Sequence, residues 1–299
     1  MSRTYQSGRP KLACEIAADR VIAARAADSR QVLELCSTSE LVPGCVVPDL
    51  TEGNLRQPDA VVTALREVLG NVGSRSREVT AVLPDAAVRV ALLDFETLPQ
   101  NHEEAEGVVR FRLRKSLPFD VDKAKVSYQA QTSNGTVRVV AAVALNSVIQ
   151  EYEAVIREAG FSPGVVLPSM LAAVRGAPAD RGTLLVKVDA RTTSIALLDQ
   201  QQLLLFRTLE NTRGVTISGE QLAEDVYPSV VFFQDTYNTN IEQIFVSGIS
   251  DITAVAAALQ SQTGAEVKEL VQASQLGLGG GSIPKWRMAG VVGALLSTN

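Results

Sequence analysis

Two periods of hydrophobic spacing alternate along this chain. Short runs of apolar and β-branched residues bounded by polar turns predict strands, and longer segments with apolar residues three and four apart predict helices. Residues 12–27, LACEIAADRVIAARAA, predict a strand, a tight turn and a second strand. Residues 58–69 carry apolar residues at Val61, Val62, Leu65, Val68 and Leu69 and predict a helix, with Pro58 in its first turn and Gly70 ending it. VTAVLP (79–84) and VRVALLDF (88–95) predict strands joined by a short turn. Residues 101–117 predict the best-specified helix. Asn101 is a good N-cap with Glu104 three residues on, Ala105, Val108, Val109, Leu113 and Leu117 form an apolar face, and Pro118 stops it. AKVSYQA and VRVVAAVAL follow as a hairpin signalled by Asn134-Gly135, then a helix over 146–159 ending at Gly160.

The second half returns to the opening pattern. Residues 184–209, LLVKVDARTTSIALLDQQQLLLFRTL, predict strand-turn-strand and a third strand. A helix over 218–237, a buried strand in IEQIFVSG and a helix in ITAVAAALQSQTG come next. A strand-turn-strand unit heading each half is a weak internal repeat, and it predicts two similar α/β lobes facing a cleft.

Composition narrows the function classes. The 299 residues are 46% hydrophobic and 20% charged, enough for about two domains with real cores. A net charge of −5 argues against a nucleic-acid surface. The densest basic run, RFRLRK at 110–115, follows the acidic EEAE and matches the dipole of a solvated helix. Cys14, Cys36 and Cys45 have no CxxC spacing, so reduced thiols are expected and no metal site. With no run of about 18 apolar residues and no signal-like start, a soluble cytoplasmic chain is expected. The single histidine, His102, opens a helix among acids and reads as a solvated first-turn residue rather than a base, and any Ser-His-Asp or Cys-His scheme would hang on it. GLGGGS at 277–282 lacks a full dinucleotide fingerprint and is followed by Pro284, which predicts a loop.

Two stretches carry a family resemblance. Residues 98–131, LPQNHEEAEGVVRFRLRKSLPFDVDKAKVSYQA, resemble the inserted strand-helix-strand-strand module of PilM-like proteins. These are actin-like proteins of type IV pilus assembly, related to FtsA. The matching positions are Phe111, Leu117-Pro118-Phe119, Asp120, Asp122 and Val126 to Tyr128. The order of strand-turn-strand units and FVSG is similar to the phosphate and adenosine segments of actin-like ATPases. The resemblance implies an actin-like (ribonuclease H-like) two-lobed α/β fold. It implies a first lobe at 1–86 completed by 162–182, an inserted module at 87–161 and a second lobe at 183–299. It also implies a nucleotide cleft at Glu15, Ala17, Asp19, Lys187, Asp189, Thr192, Thr193, Ser247 and Gly248.

The departures from the family pattern predict that this cleft is degenerate. Ala17 stands where a turn glycine is expected, Asp19 adds negative charge, and Ile22 replaces a lysine. Lys187 occupies the position of a metal- and water-positioning aspartate, Asp189 that of a glycine, and Ile249 that of a second glycine after Ser247-Gly248. Phosphoryl transfer needs acids to hold Mg²⁺ and donors to cradle phosphate. Like charges about 4 Å apart repel by roughly 4 kcal/mol at an effective dielectric of 20. The expectation is therefore a pseudo-ATPase with no cofactor, ATP and Mg²⁺ being the ligands the family would supply. The resemblance further implies a scaffold role at the inner face of the inner membrane. The partner would be the short cytoplasmic N-terminal peptide of a PilN-like single-span protein, held in a groove between the first lobe and the inserted module. Phe111, Arg112, Leu117 and Phe119 are the partner-binding candidates, and self-association is left open. The alternatives are an active ATPase of the same fold regulating that assembly, the cytoplasmic domain of a type II secretion platform protein, and a sugar kinase.

Overall fold

The computed structural model describes residues 9–73, 75–133, 135–279 and 283–296. Along the chain the elements are β1 (Leu12–Ile16), β2 (Arg20–Ala26), β3 (Leu33–Glu40), α1 (Pro58–Val72), β4 (Glu78–Leu83), β5 (Arg89–Phe95) and α2 (His102–Leu113). Next come β6 (Ala124–Ser133), β7 (Thr136–Leu145), α3 (Asn146–Glu158), β8 (Ser162–Pro168), α4 (Ser169–Val174), β9 (Thr183–Val188), β10 (Thr192–Asp199) and β11 (Gln202–Glu210). The chain continues with α5 (Gly219–Tyr237), β12 (Gln243–Ser247), α6 (Ile252–Thr263), β13 (Glu266–Glu269), β14 (Leu276–Gly279) and α7 (Ala289–Leu295).

The strands form three sheets, ordered β14-β3-β2-β1-β4-β8, β11-β10-β9-β12-β13 and β5-β7-β6. The two larger sheets share one plan. In each, an antiparallel three-strand meander puts its first strand parallel to the next strand after a helix: β1 beside β4, and β9 beside β12. The internal repeat expected from the strand-turn-strand units is thus a duplicated α/β unit. β1 and β9, buried on both faces as central strands are, read as apolar runs broken by one buried charge each, Glu15 and Lys187.

The repeat assigns the remaining pieces. Between β12 and β13 the chain makes only α6; between β4 and β8 it makes β5, α2, β6, β7 and then α3. α3 is therefore the counterpart of α6. Its buried residues Val148, Tyr152, Val155 and Ile156 join α1 in the first core. The boundaries read from sequence carried the inserted module to 161; packing ends it at Leu145, where β7 ends. Likewise β14 pairs with β3 and α7 packs on β1 and α4, so the end of the stretch assigned to the second lobe returns to the first sheet.

Some local boundaries also differ. α1 runs past Gly70 to Val72, because Val72 still has core to bury, and Gly73 at φ 40° ends it. α2 stops at Leu113 rather than 117, and Val108 lies half exposed instead of completing the apolar face. Asn101 caps α2 as expected, accepting from the Glu103 and Glu104 backbone N–H groups. Of the expected NG turn, Asn134 lies outside the described residues, and Gly135 has φ 80° between the paired β6 and β7. In the expected GLGGGS loop, residues 276–279 are strand β14, and 280–282 lie outside the described residues.

The module's sheet has two different faces, because side chains alternate along a strand. Val126, Val139, Ala141 and Val143 face α2 and pack with Val109 and Leu113. The residues between them turn to the lobes: Ala144 is buried in the first core with Ala142 against it, and Leu92 and Val140 pack on the interlobe cluster. Among the described residues, no helix is long and apolar enough to cross a membrane.

Candidate functional site

The β1–β2 turn and the β9–β10 turn come from equivalent places in the two lobes and meet at the cleft. The first is closed by Ala17 N–H donating to Arg20 C=O at 2.9 Å, the second by Asp189 N–H donating to Thr192 C=O at 2.8 Å. The structure brings Glu15, Asp19, Lys187 and Asp189 together and adds residues the sequence did not single out as candidates. Lys187 Nζ contacts Asp189 and lies 3.8 Å from Glu15 Oε1. Arg20 reaches Asp19 at 2.7 Å and, across the cleft, Asp189 at 3.5 Å. Ser169 Oγ donates to Glu15, whose carboxylate lies against Gly290 of α7, where a Cβ would stand 2.7 Å from it. Asp85, in the turn after β4, accepts from the Met170 N–H and from Ser194 Oγ, each at 2.8 Å.

The charged groups are almost dry: Glu15, Arg20 and Lys187 are each under 5% exposed. Burial alone lowers the Lys187 pKa, but the carboxylates of Asp189, Glu15 and Asp85 outweigh it and raise it above the ordinary lysine value. Burial likewise works to raise Asp189, while Lys187 and Arg20 hold it below the usual carboxylate range. Asp85 lacks so close a cation, and burial pushes it up to about 6. At the position where the resemblance places a metal-binding acid, this chain carries a buried lysine, Lys187.

Little space is left between the two turns. The cavity lined by Glu15, Ala17, Ala18, Asp189 and Thr192 holds about 10 Å³. That is room for one water, against roughly 300–1,000 Å³ for small-molecule sites. Thr193 is buried with its hydroxyl unpartnered. Ser247 and Gly248, expected at an adenosine segment, are held in structural bonds: the Ser247 hydroxyl and the Gly248 N–H both donate to the Trp286 carbonyl at 2.8 Å. Gly248, at φ +89°, also sits so close to the Val188 carbonyl that a Cβ would be 1.7 Å from its oxygen. Among the described residues, no group of three or more His, Cys, Asp or Glu is arranged to hold a metal ion.

The duplicated lobes, the cleft between two equivalent turns and the inserted three-stranded module agree with known structures. The PilM-PilN type IV pilus biogenesis complex includes a chain matching this one at a TM-score of 0.76 and 20% identity, over 96% of this chain and 97% of that one. A Bacteroides thetaiotaomicron protein described as having an actin-like ATPase fold matches at 0.55 and 12%, over 98% of each. The fold is actin-like. The cytoplasmic domain of EpsL, an inner-membrane component of the Vibrio cholerae type II secretion system, is similar at 0.51 and 10%, over 79% of this chain and 80% of that one. No family model and no curated protein matches the sequence.

Outside the cleft, this actin-like chain has a groove of about 390 Å³ between the first lobe and the inserted module. Ala142, Ala144 and Ser127 of the module line one side, and Ile149, Val166 and Pro168 of the first lobe line the other, with Lys125 and Glu153 at its polar positions. The expected partner residues are elsewhere. Phe111 is 66% exposed on the outer surface of α2, and Arg112 is exposed there with its guanidinium 5.8 Å from the Phe95 ring. Leu117 and Phe119 pack partly buried on the module's own core. The module's sheet separates all four from the groove. Val88, just before β5, also lines it, and no residue of β5 does. Alternation along β7 is the signal that locates it: Val139, Ala141 and Val143 go to α2, which leaves Ala142 and Ala144 for the other side.

Proposed function

We propose that this chain is a non-enzymatic actin-like scaffold of a type IV pilus or related envelope-spanning machine. It holds the short cytoplasmic N-terminal segment of a PilN-like membrane protein and reaches the inner face of the inner membrane through that partner. One contrast carries the reading: between the two turns the cleft is filled by the protein's own ion pairs, while an apolar-walled groove stays open between the first lobe and the module. Short-segment recognition uses a few apolar anchors in a preformed groove, and this groove offers them. The similarity to a pilus complex that contains PilN supports the choice of partner.

Calorimetry with the N-terminal peptide of the PilN-like protein tests this. Binding in the micromolar range, near −8 kcal/mol, is expected. Ala142→Arg, which fills the groove from its half-buried wall, should abolish the heat of binding, while Phe111→Ala and Arg112→Glu should leave it. If the α2 variants lose the peptide and Ala142→Arg keeps it, the partner sits on the outer face of α2 and the groove reading fails.

A further inference from the structure

We propose that Lys187 is a tethered cation that latches the two lobes together, so that closure of the cleft requires no bound ligand. The ion cluster joins residues of opposite lobes. Glu15 and Arg20 belong to the first sheet, Lys187 to the second and Asp189 to the turn after it, and both cross-lobe pairs, Lys187–Glu15 at 3.8 Å and Arg20–Asp189 at 3.5 Å, span the cleft. Ser194 Oγ, also on the second sheet, adds a third tie to Asp85 at 2.8 Å. Behind the cluster the lobes share an apolar contact in which Ala13 and Ile22 meet Leu185, Ala196 and Phe245 through α4 and α7. The polar cluster is therefore the front of an interface whose back is hydrophobic.

The electrostatics explain why a lysine works here. Glu15, Asp19, Asp85 and Asp189 face the cleft with Lys187 and Arg20 as the neighbouring cations. Two carboxylates brought together from opposite lobes repel unless a cation stands between them. A free divalent ion could fill that place, but it would leave and return with its concentration. An ammonium on β9 is always present, and Ser169 and Gly290 hold Glu15 in position to meet it. Buried ion pairs contribute little net stability, so fixing one arrangement of the lobes is the role that suits such a cluster.

The test measures hydrogen exchange in the segments 15–20 and 187–193, in the wild type and in Lys187→Ala, with and without millimolar MnCl₂. Lys187→Ala should exchange at least about tenfold faster in these segments, with the cores unchanged. Mn²⁺ should slow that exchange again in the variant and have no effect on the wild type. Lys187→Arg, which keeps the charge, should behave as wild type. If Lys187→Ala does not fold, the pair Lys187→Met with Asp189→Asn removes the contact without leaving Asp189 charged, and the same local acceleration is expected. Wild-type exchange rates in whichever variant is measured, acceleration spread evenly through the chain, or an equal Mn²⁺ effect on the wild type would each overturn the latch. None of these outcomes bears on the peptide groove, which lies outside the cluster.

Discussion

Asp85 is a buried acid whose folded-state pKa, about 6, stands above its ordinary 3.8 because burial disfavours the charged form. A raised carboxylate binds its proton more tightly in the folded protein. Its contribution is therefore full below about pH 3.8 and is lost as pH rises through 6, about 3 kcal/mol in all. Asp189 works in the opposite sense, its pKa being held down by Lys187 and Arg20. The clean measurement is a difference: the stability of wild type minus Asp85→Asn, from urea unfolding, should fall as pH goes from 4 to 6.5. A flat difference would mean that Asp85 titrates normally. Gly248 is the second residue whose role is local. With φ +89° and the Val188 carbonyl where a Cβ would go, Gly248→Ala should cost at least about 3 kcal/mol or prevent folding. An unchanged denaturation midpoint would refute that. The glycine motif after β12 serves packing between β12 and β9.

At the scale of elements, α2 shows how much a period can and cannot say. Its N-cap and its buried stripe of Ala105, Val109 and Leu113 were legible because capping chemistry and 3.6-residue spacing are local. Its end was not, since Pro118 marks only where a helix must already have stopped. Phe111 falls off the stripe and is exposed. Leu113→Ala should therefore cost about 2–5 kcal/mol, and Phe111→Ala no more than about 0.5 kcal/mol. If thermal unfolding finds the two equal, Phe111 packs against something in solution. The same alternation argument separates the two faces of β7. Strand identity was readable from the apolar run VRVVAAVAL, but which face meets a lobe depends on where the lobe is.

For the whole molecule, the filled cleft makes a plain prediction. A ligand at 100 times its Kd stabilises by about 2.7 kcal/mol, which moves the midpoint of a chain this size by roughly 4 °C. Millimolar ATP with Mg²⁺ should leave the melting temperature unchanged. A clear Mg²⁺-dependent rise would favour the active ATPase, and would require Lys187 and Arg20 to leave the places they occupy. A larger groove, of about 670 Å³, opens beside the cluster where β5, β11, the 48–51 loop, Asp85 and Arg191–Thr192 of the second turn meet. The filling is confined to the charged cluster itself.

The sequence by itself determined the elements, the doubled strand-turn-strand plan and the unusual charges of the two turns, because each depends on residues near one another in the chain. It also marked Lys187 and Asp189 as out of place in a nucleotide cleft. Only the tertiary structure decided what those charges do. Arg20, Asp85, Ser169 and Gly290 carry no local signal, and they matter because the lobes bring them to Glu15, Lys187, Asp189 and Ser194. The same holds for the module's limits and its groove. α3 joins the first core through contacts with α1, and Ala142 and Ala144 line an opening whose other wall is formed by residues beyond Leu145. Periodicity reports which side of an element is apolar. Long-range packing selects the partner, because burial rewards any complementary apolar surface and the chain's topology determines which one is within reach.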